Sequence, residues 1–321
     1  MDTRPLSRAS GTLATGRAAT RGARANGVAS LSPARGLDVL RGLVERRLAG
    51  LVPGEEDAPR RLHGAMRYAL LAPAKRVRPL LAMQSATQFG AEPEAALDAG
   101  CAIEMVHTAS LILDDLPSMD DAGIRRGRPA THLAFGEETA ILAAVALLNR
   151  AFGVVCGMRD LDRGVRLDLV DLISEAVGSN GLVGGQESDL HERSDYAEAA
   201  LIDALNHRKT GVLFIASVEA GARIAGLSGD RLQNVRAFGA GLGLAFQTMD
   251  DLIDSGSPEA AGKDTGRDGD KPTLVTLVGP DGARRAAQRH LDAAMDALKG
   301  APSACDALER FAQGIFAGLR A

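Results

Sequence analysis

The sequence predicts an all-α protein, and three observations favour that fold class. Apolar residues make up 45% of the 321 residues, but aromatic residues make up only 3%, and Trp is absent. A core built from Leu, Val, Ile and abundant Ala favours helices. Apolar residues also recur at three- and four-residue steps along most of the chain, and no segment shows the alternation of a convincing β-strand.

Composition limits the function classes. The formal net charge of −4 argues against general affinity for nucleic acid. The three cysteines are odd in number and form no CxxC pair, which predicts free thiols in a reducing, cytoplasmic compartment. The longest apolar run, Ala140 to Leu148, is shorter than the ~18 residues needed to span a bilayer. We therefore expect a soluble protein with no membrane span.

The chain begins with a segment that is typical of a disordered tail. Residues 1–35 are rich in Ala, Gly, Ser and Arg, contain one acid, Asp2, and show no apolar periodicity. An Arg-rich, acid-poor start also fits an organelle transit peptide, and an over-long choice of start codon would give the same pattern. A secretory signal does not fit, because the segment lacks an apolar stretch. The helical domain is predicted over residues 36–321.

Predicted helices follow in order from Gly36. The first carries Leu40, Leu43 and Leu48 at helical spacing, and a break at Pro53-Gly54 separates it from the second. Further helices are predicted over 129–160, around 181–189, from 207, up to 254, and over 281–299 and 303–319. Residues 255–272 are rich in Gly, Pro and charge, which predicts a loop.

A basic turn precedes the third helix. Lys75, Arg76 and Arg78 are three cations in four positions, between Pro73 and Pro79. In a chain that is acidic overall, such a turn at a helix entry suggests an anion site. A solvated basic turn is the alternative.

An acidic stretch dominates the middle of the chain. An apolar run leads into Asp114, Asp115, Asp120 and Asp121, and three arginines follow by residue 128. Crowded carboxylates repel one another unless a cation holds them, and Mg²⁺ shares its oxygen shell with substrate phosphates. Arginine forks match phosphate oxygens. Taken alone, a solvated acidic turn explains this pattern equally well.

A second acidic cluster makes a metal site the better interpretation. Asp250, Asp251 and Asp254 again end an apolar helix, and Asp250 and Asp254 share a face at some electrostatic cost. Two such clusters predict acids that face each other across a cavity with metal between them.

The two acidic segments resemble motifs of a known family. DDLPSMDD from Asp114 and FQTMDDLID from Phe246 resemble the two aspartate-rich motifs of trans-isoprenyl diphosphate synthases, the first in its form with two extra residues. Within the family the chain is most similar to bacterial geranylgeranyl diphosphate synthases of the carotenoid pathway. The resemblance runs from about Lys75 to Thr273.

The resemblance implies a fold, a reaction and partners. The fold is one bundle of antiparallel helices around a deep apolar cavity, with the acids at its mouth. The reaction is Mg²⁺-dependent head-to-tail condensation of an allylic diphosphate with isopentenyl diphosphate. The implied product is geranylgeranyl diphosphate, with farnesyl diphosphate as the alternative. A homodimer is expected on the same ground, and similarity to bacterial enzymes favours a tail over a transit peptide.

Substrate-binding roles come from the matching motif positions. The residues implied to bind isopentenyl diphosphate are Lys75, Arg78, His107 and Arg126. A lone histidine on an apolar helix is more often a core residue, but His107 shares a helical face with Asp114. The residues implied to bind the allylic diphosphate are Arg125, Lys209 and, on a predicted lid, Lys263.

The remaining roles concern metal, carbocation and product length. The implied metal ligands are Asp114, Asp120 and Asp250, supported by Asp115 and Asp254. The residues implied to stabilise the carbocation are Thr210 and Gln247. The residues implied to leave room for a long product are the small Ala109 and Ser110. The segment 181–189 resembles a helix that borders the substrate cavity.

Two departures from the family pattern stand out. Pro73-Ala74 replaces the usual glycines before Lys75, and Ala144-Val145 replaces the usual Gly-Asp. We interpret the second as repacking on a buried helix.

Three other functions compete with this one. A class I terpene cyclase ionises a similar diphosphate with similar acids, but it needs no second diphosphate site. A non-catalytic partner subunit of a synthase is expected to have lost acids from one cluster. A helical scaffold protein would carry such acidic turns incidentally.

Overall fold

The computed structural model describes residues 33–192, 198–254, 272–301 and 303–317. Its helices in chain order are α1 (Pro33–Leu51), α2 (Arg60–Leu70), α3 (Val77–Gln88), α4 (Leu97–Asp114), α5 (Thr131–Phe135), α6 (Glu137–Cys156), α7 (Arg163–Val177), α8 (Leu182–His191), α9 (Ala199–Asn206), α10 (Val212–Ile224), α11 (Arg231–Asp254), α12 (Leu274–Lys299) and α13 (Ala307–Ile315). A 3₁₀ turn, Pro93–Ala96, precedes α4, and a π-helical turn, His207–Gly211, joins α9 to α10. The all-α prediction is confirmed.

One small sheet lies among the helices. β1 (Ile124–Arg125) pairs antiparallel with β2 (Arg128–Pro129). Arg126 and Gly127 form the turn between them with φ of 53° and 75°, as a tight two-residue hairpin requires. The sequence did not predict this hairpin, because two-residue strands are too short to show alternation. Its effect is to fix the backbone beside Arg125 and Arg126.

Several predicted boundaries shift. The first helix begins at Pro33, inside the predicted tail, while residues 1–32 lie outside the described residues and the tail stays a prediction there. The helix predicted over 129–160 is divided at Gly136, whose φ is 83°. Helix α12 begins earlier than the predicted 281–299 and is kinked at Gly279 and Pro280.

Helix α4 is the central element of the fold. Its residues Cys101, Ile103, Met105 and Ile112 are at most 2% exposed. The helix packs against α3 and α6 and also contacts α1, α2, α7 and α10. Helix α11 lies on the other side of α10 and packs against α12. Because α4 and α11 are both held by neighbours, the acids at their C-terminal ends have fixed positions.

Two helical stretches pass a length-and-composition test for membrane spans. They are Pro93–Asp114 and Glu137–Cys156, of which 67% and 39% of the most apolar window are buried inside the fold. This finding does not contradict the expectation of no membrane span, which stays a prediction. The finding is weak evidence for a span, since tightly packed core helices pass the same test.

Candidate active site

A cavity of about 1350 Å³ lies between α4, α6, α8 and α11. Its wall carries acids, cations and apolar side chains. Of the residues with predicted roles, those that line it are Lys75, Arg78, His107, Ala109, Ser110, Asp114, Asp120, Arg125, Arg126, Lys209, Thr210, Gln247, Asp250 and Asp254. Lys263 lies outside the described residues, so its role stays a prediction.

The first group of acids lies at the end of α4. The backbone N–H of Asp120 donates to the carbonyl of Asp114 at 2.9 Å, so the loop after α4 curls back and brings both residues to the cavity. Burial raises the pKa of Asp114 to about 6, and the nearby charge of Asp120 adds to this. Burial therefore makes ionisation of Asp114 less favourable than in a free aspartate, and a bound metal ion would offset that cost.

The second group of acids comes from α11. Asp250 and Asp254 are one turn apart and line the same cavity as Asp114 and Asp120. Among the described residues, no three metal-ligating side chains form a preorganised group. Carboxylate oxygens on two walls nevertheless suit Mg²⁺, which takes hard oxygen ligands and completes its shell with phosphate oxygens.

Asp115 differs from its neighbour Asp114. It is 1% exposed, does not line the large cavity, and accepts a hydrogen bond from Nε of Arg125 at 2.9 Å. Burial raises the pKa of Asp115, although Arg125 opposes that effect. The geometry makes Asp115 a support for Arg125, and a direct role in metal binding stays a prediction.

Lys209 bridges the acids from a third direction. Its Nζ donates to Asp189 Oδ2 at 2.6 Å and lies 3.8 Å from Asp114 Oδ2. Burial alone would lower the pKa of Lys209, but Asp114 and Asp189 raise it, so the ammonium stays charged. Asp189, on α8, is 2% exposed. The sequence associated its segment with the cavity border but did not assign this contact.

The predicted carbocation-stabilising residues lie on the π-helical turn, which carries Thr210, and on α11, which carries Gln247. Thr210 Oγ1 donates to Gln247 Oε1 at 2.7 Å, and Gln247 Nε2 donates to Asp251 Oδ1 at 2.9 Å. This chain of hydrogen bonds links the turn to α11. Single π-helical turns inside helices often mark functional sites, because the wider turn re-aims side chains and carbonyls.

Two glycines hold this turn between α8 and α11. A Cβ at Gly185 would lie 2.7 Å from the backbone nitrogen of Lys209, and a Cβ at Gly243 would lie 2.7 Å from Cα of Gly211. Both contacts are too short for any side chain. The two glycines therefore allow the backbone approach that places Lys209 and Thr210.

The predicted isopentenyl-side cations form a separate group. Lys75 is exposed at the cavity, whereas Arg78 is 8% exposed with its guanidinium 5.2 Å from the ring centroid of Phe214. Within the described part of the chain, Arg78 Nε is buried and has no hydrogen-bond partner. Burial lowers the pKa of Arg78 to about 10 and also lowers the pKa of Arg126. An anion bound here would stabilise both charges.

His107 lines the cavity near Arg78 and Arg126. Burial lowers the pKa of His107 well below its usual value, and the charges of Arg78 and Arg126 lower it further. The imidazole is therefore neutral at neutral pH, with one nitrogen as donor and the other as acceptor. The carbonyl of His107 accepts a hydrogen bond from Ser110 Oγ at 2.8 Å.

Arg76 does not serve as the free cation that the basic turn suggested. It is 1% exposed and donates to Glu45, to Glu104 and to the carbonyls of Leu70 and Ala72. The guanidinium therefore bonds to groups of the protein itself and is not available to a bound anion. Glu104 was missed by the sequence reasoning, although a glutamate within the apolar α4 pattern was a signal of a buried ion pair.

The apolar part of the cavity lies beside Ser110. Ala109 and Ser110 of α4 and Ala144 and Val145 of α6 contribute to its wall, together with Val183 of α8. Val145 is 57% exposed. The interpretation of Val145 as repacking on a buried helix is therefore wrong, since the residue lies at a surface of the cavity.

Comparisons with known proteins agree with this arrangement. A family model described as polyprenyl synthetase matches residues 59–308. The geranylgeranyl diphosphate synthase of Pseudescherichia vulneris is 43% identical over 269 residues, which is 83% of this chain and 86% of the relative. The farnesyl diphosphate synthase of Geobacillus stearothermophilus is 39% identical over 250 residues, which is 76% of this chain and 84% of the relative.

Solved structures show the same similarity. An FPP/GFPP synthase from Zymomonas mobilis is 36% identical with a TM-score of 0.77, covering 88% of this chain and 98% of that one. A geranyltransferase from Helicobacter pylori, complexed with magnesium and isoprenyl diphosphate, is 27% identical with a TM-score of 0.80. That match covers 91% of this chain and 99% of the Helicobacter chain.

Proposed function

The chain belongs to the polyprenyl synthetase family, and we propose that it makes geranylgeranyl diphosphate from an allylic diphosphate and isopentenyl diphosphate, with farnesyl diphosphate as the alternative product. One observation carries the proposal: a single cavity is lined both by two clusters of acids and by the isopentenyl-side cations, of which Arg78 and Arg126 lie near Glu104. Two diphosphate sites of different chemistry are what a condensing prenyltransferase needs. A terpene cyclase has use for only one of them.

The acids would hold the allylic substrate through Mg²⁺. Asp114 and Asp120 on one wall and Asp250 and Asp254 on the other supply only oxygen ligands. The relative from Helicobacter was solved with magnesium and an isoprenyl diphosphate, which supports the choice of metal. When bound, Mg²⁺ would neutralise the diphosphate as it becomes a leaving group.

The chain's own residues then guide ionisation. Lys209, kept charged by Asp114 and Asp189, and Arg125, held by Asp115, would donate hydrogen bonds to the departing diphosphate. The carbon–oxygen bond breaks and leaves an allylic cation beside Thr210 and Gln247, whose oxygens stabilise positive charge. The apolar wall excludes water from that cation.

The second substrate would lie at Arg78, Arg126 and Lys75. Neutral His107 adds one donor without adding charge. The double bond of isopentenyl diphosphate attacks the cation, a carbon–carbon bond forms, and the departing diphosphate takes the proton that is lost. The residues therefore act through positioning and electrostatic stabilisation.

Product length would be set beside Ser110. This residue is one turn before Asp114 on α4, so a product growing away from the acids passes it. Ser110→Phe is expected to shift the product from geranylgeranyl toward farnesyl diphosphate with much of the turnover retained. Chromatography of the dephosphorylated products measures the shift, and an unchanged profile would locate the limit on α6 or α8.

We also propose a cytoplasmic homodimer that supplies carotenoid or other isoprenoid synthesis. The resemblance suggests the dimer, and α6 supports it with two exposed apolar side chains that do not line the cavity, Ile141 and Leu142. A second copy would cover this face. Sedimentation of the purified chain tests it, since a monomer at micromolar concentration would contradict the proposal.

One assay separates the proposed function from its rivals. Labelled isopentenyl diphosphate is incubated with geranyl or farnesyl diphosphate, with and without Mg²⁺. Incorporation into a longer diphosphate only with Mg²⁺ is the expected result. Diphosphate release without incorporation would indicate a cyclase, and neither event would indicate a partner subunit or a scaffold.

A further inference from the structure

We propose that Glu104 is a positioning residue for isopentenyl diphosphate, because it holds the arginines of the basic site. Glu104 lies on α4, the helix that ends at Asp114. The inference rests on the proposed function and goes beyond it. Glu104 lies in the cavity wall and is 2% exposed. A buried carboxylate beside an anion site disfavours the ligand unless its charge has another use.

The use is visible in the contacts of Glu104. Its Oε1 accepts a hydrogen bond from Nη1 of Arg76 at 2.9 Å, and the same oxygen lies 3.8 Å from Nη2 of Arg126. Arg78 is also close enough for the charge of Glu104 to act on it. One carboxylate therefore attracts three guanidinium groups.

Arg76 serves as a fixed anchor in this arrangement. Its guanidinium is held on the other side by Glu45, with Nε 2.7 Å from Oε1, and by the carbonyls of Leu70 and Ala72. These contacts leave Arg76 no freedom to turn toward a ligand. They fix the orientation of Glu104, and through it the orientation of Arg126.

Charge explains why the anchor is needed. Arg76, Arg78 and Arg126 lie close together, and the mutual repulsion of these charges would turn Arg126 away. Glu45 and Glu104 offset two of the three charges and leave a net positive site for the diphosphate. Without the charge of Glu104, Arg126 loses the attraction that holds it in place.

The position of Glu104 on α4 has a second consequence. Ten residues separate it from Asp114, which corresponds to about 15 Å of helix rise. Helix α4 packs against α3, α6 and further neighbouring helices, which hold it in place. The helix therefore acts as a spacer that sets the distance between the two diphosphate groups, and so the approach of the double bond to the cation.

Glu104→Gln tests the role. The amide keeps the size and still accepts from Arg76, but it carries no charge. We expect the KM for isopentenyl diphosphate to rise about tenfold, while the KM for the allylic substrate stays within about twofold of the wild-type value. We also expect kcat to fall by a smaller factor than the KM for isopentenyl diphosphate rises.

A matched control is available on α10. Glu219 is 1% exposed and is held by Arg223 and Arg236, but it does not line the cavity. Glu219→Gln should lower the melting temperature about as much as Glu104→Gln does, with both KM values unchanged. If Glu104→Gln behaves like this control, Glu104 is only structural and the inference is overturned.

Further variants keep the test decisive. If Glu104→Gln does not fold, Glu104→Asp replaces it, because the shorter acid keeps the charge but withdraws it from Arg126, and the same rise in one KM is expected. In the background of Arg126→Ala, the Glu104 substitution should add little further effect on that KM; full additivity would contradict the coupling. Failure of the wild-type protein to condense the substrates would overturn the proposed function instead.

Discussion

The middle of α4, at Glu104, and its C-terminal end, at Asp114, accommodate buried charge in different ways. Around Glu104, the protein supplies its own counter-charges, and Arg76 is fully hydrogen-bonded before any ligand arrives. Around Asp114, the acids lie on separate walls, and no three ligating side chains of the described residues form a group. The basic site is therefore preorganised, whereas the acidic site needs metal and substrate to complete it.

Burial shifts pKa values at both the acidic and the basic site, in opposite directions. It raises the pKa of Asp114 to about 6 and lowers the pKa of Arg78 to about 10. In each case burial weakens the preference for the charged form, and a ligand of opposite charge would strengthen it again. In the proposed mechanism the basic site attracts a diphosphate directly, whereas the acidic site attracts one through a metal cation. One cavity can therefore bind two diphosphates selectively.

The largest expected effect on turnover comes from a substitution in the acidic site. Asp114→Asn should lower turnover about a thousandfold, since it removes a metal ligand that acts on the leaving group. The melting temperature without Mg²⁺ should stay the same or rise, because burial disfavours the ionised aspartate. Steady-state kinetics and calorimetry measure the two results.

Asp292→Asn, on the exposed side of α12, is the control for removal of an acid. It should change neither quantity. Near-normal turnover in Asp114→Asn would contradict the metal role.

The next largest effect is expected on substrate binding, from a substitution in the basic site. Arg78→Ala should raise the KM for isopentenyl diphosphate by about tenfold to a hundredfold, because a buried charged donor is lost. The KM for the allylic substrate should change far less. Equal changes in both KM values would remove the distinction between the two sites.

Much of this division could be predicted from the sequence. Acids and cations at the ends of apolar segments are exceptions to helical patterning, and acids of both clusters line the cavity together with Arg78. The partner of each charge could not be predicted. Arg76 was expected in the anion site, but it pairs with glutamates 31 and 28 residues away in the sequence.

Other features left no readable signal. A π-helical turn and an α-helical turn differ by one residue in their hydrogen bonding, which apolar spacing does not resolve. The segment 181–189 was expected to border the cavity, but only the fold identifies Lys209 as the neighbour of Gly185.

Gly185→Ala tests whether backbone contact positions Lys209. The new Cβ would lie 2.7 Å from a backbone nitrogen and must displace the π-helical turn. A shift of this kind should lower kcat about tenfold while the KM for isopentenyl diphosphate stays nearly unchanged. Gly50→Ala, on α1 with nothing within 4 Å, is the matched control. Equal kcat values in the two variants would show that the turn tolerates displacement.

The smallest effect concerns His107 and pH. Because burial lowers the pKa of His107 well below 6.5, the unfolded chain takes up a proton first as the pH falls. The free energy of unfolding should therefore fall below pH 6.5, by up to about 1.4 kcal/mol at pH 5.5 from this residue. His107→Gln should remove this contribution to the fall in the free energy of unfolding. Urea titrations of the wild type and the variant above pH 6.5 and at pH 5.5 will measure it. The same acid-side slope in the variant would mean that other groups cause it.

The most direct test of two separate sites is a binding measurement without turnover. Isopentenyl diphosphate and an unreactive thiodiphosphate analogue of the allylic substrate are titrated calorimetrically, each with Mg²⁺ and with EDTA. The account predicts that removal of Mg²⁺ changes the Kd of isopentenyl diphosphate by less than about threefold and weakens the analogue about a hundredfold. It also predicts that both ligands bind together with Mg²⁺. Equal dependence on Mg²⁺, or competition between the two ligands, would contradict it.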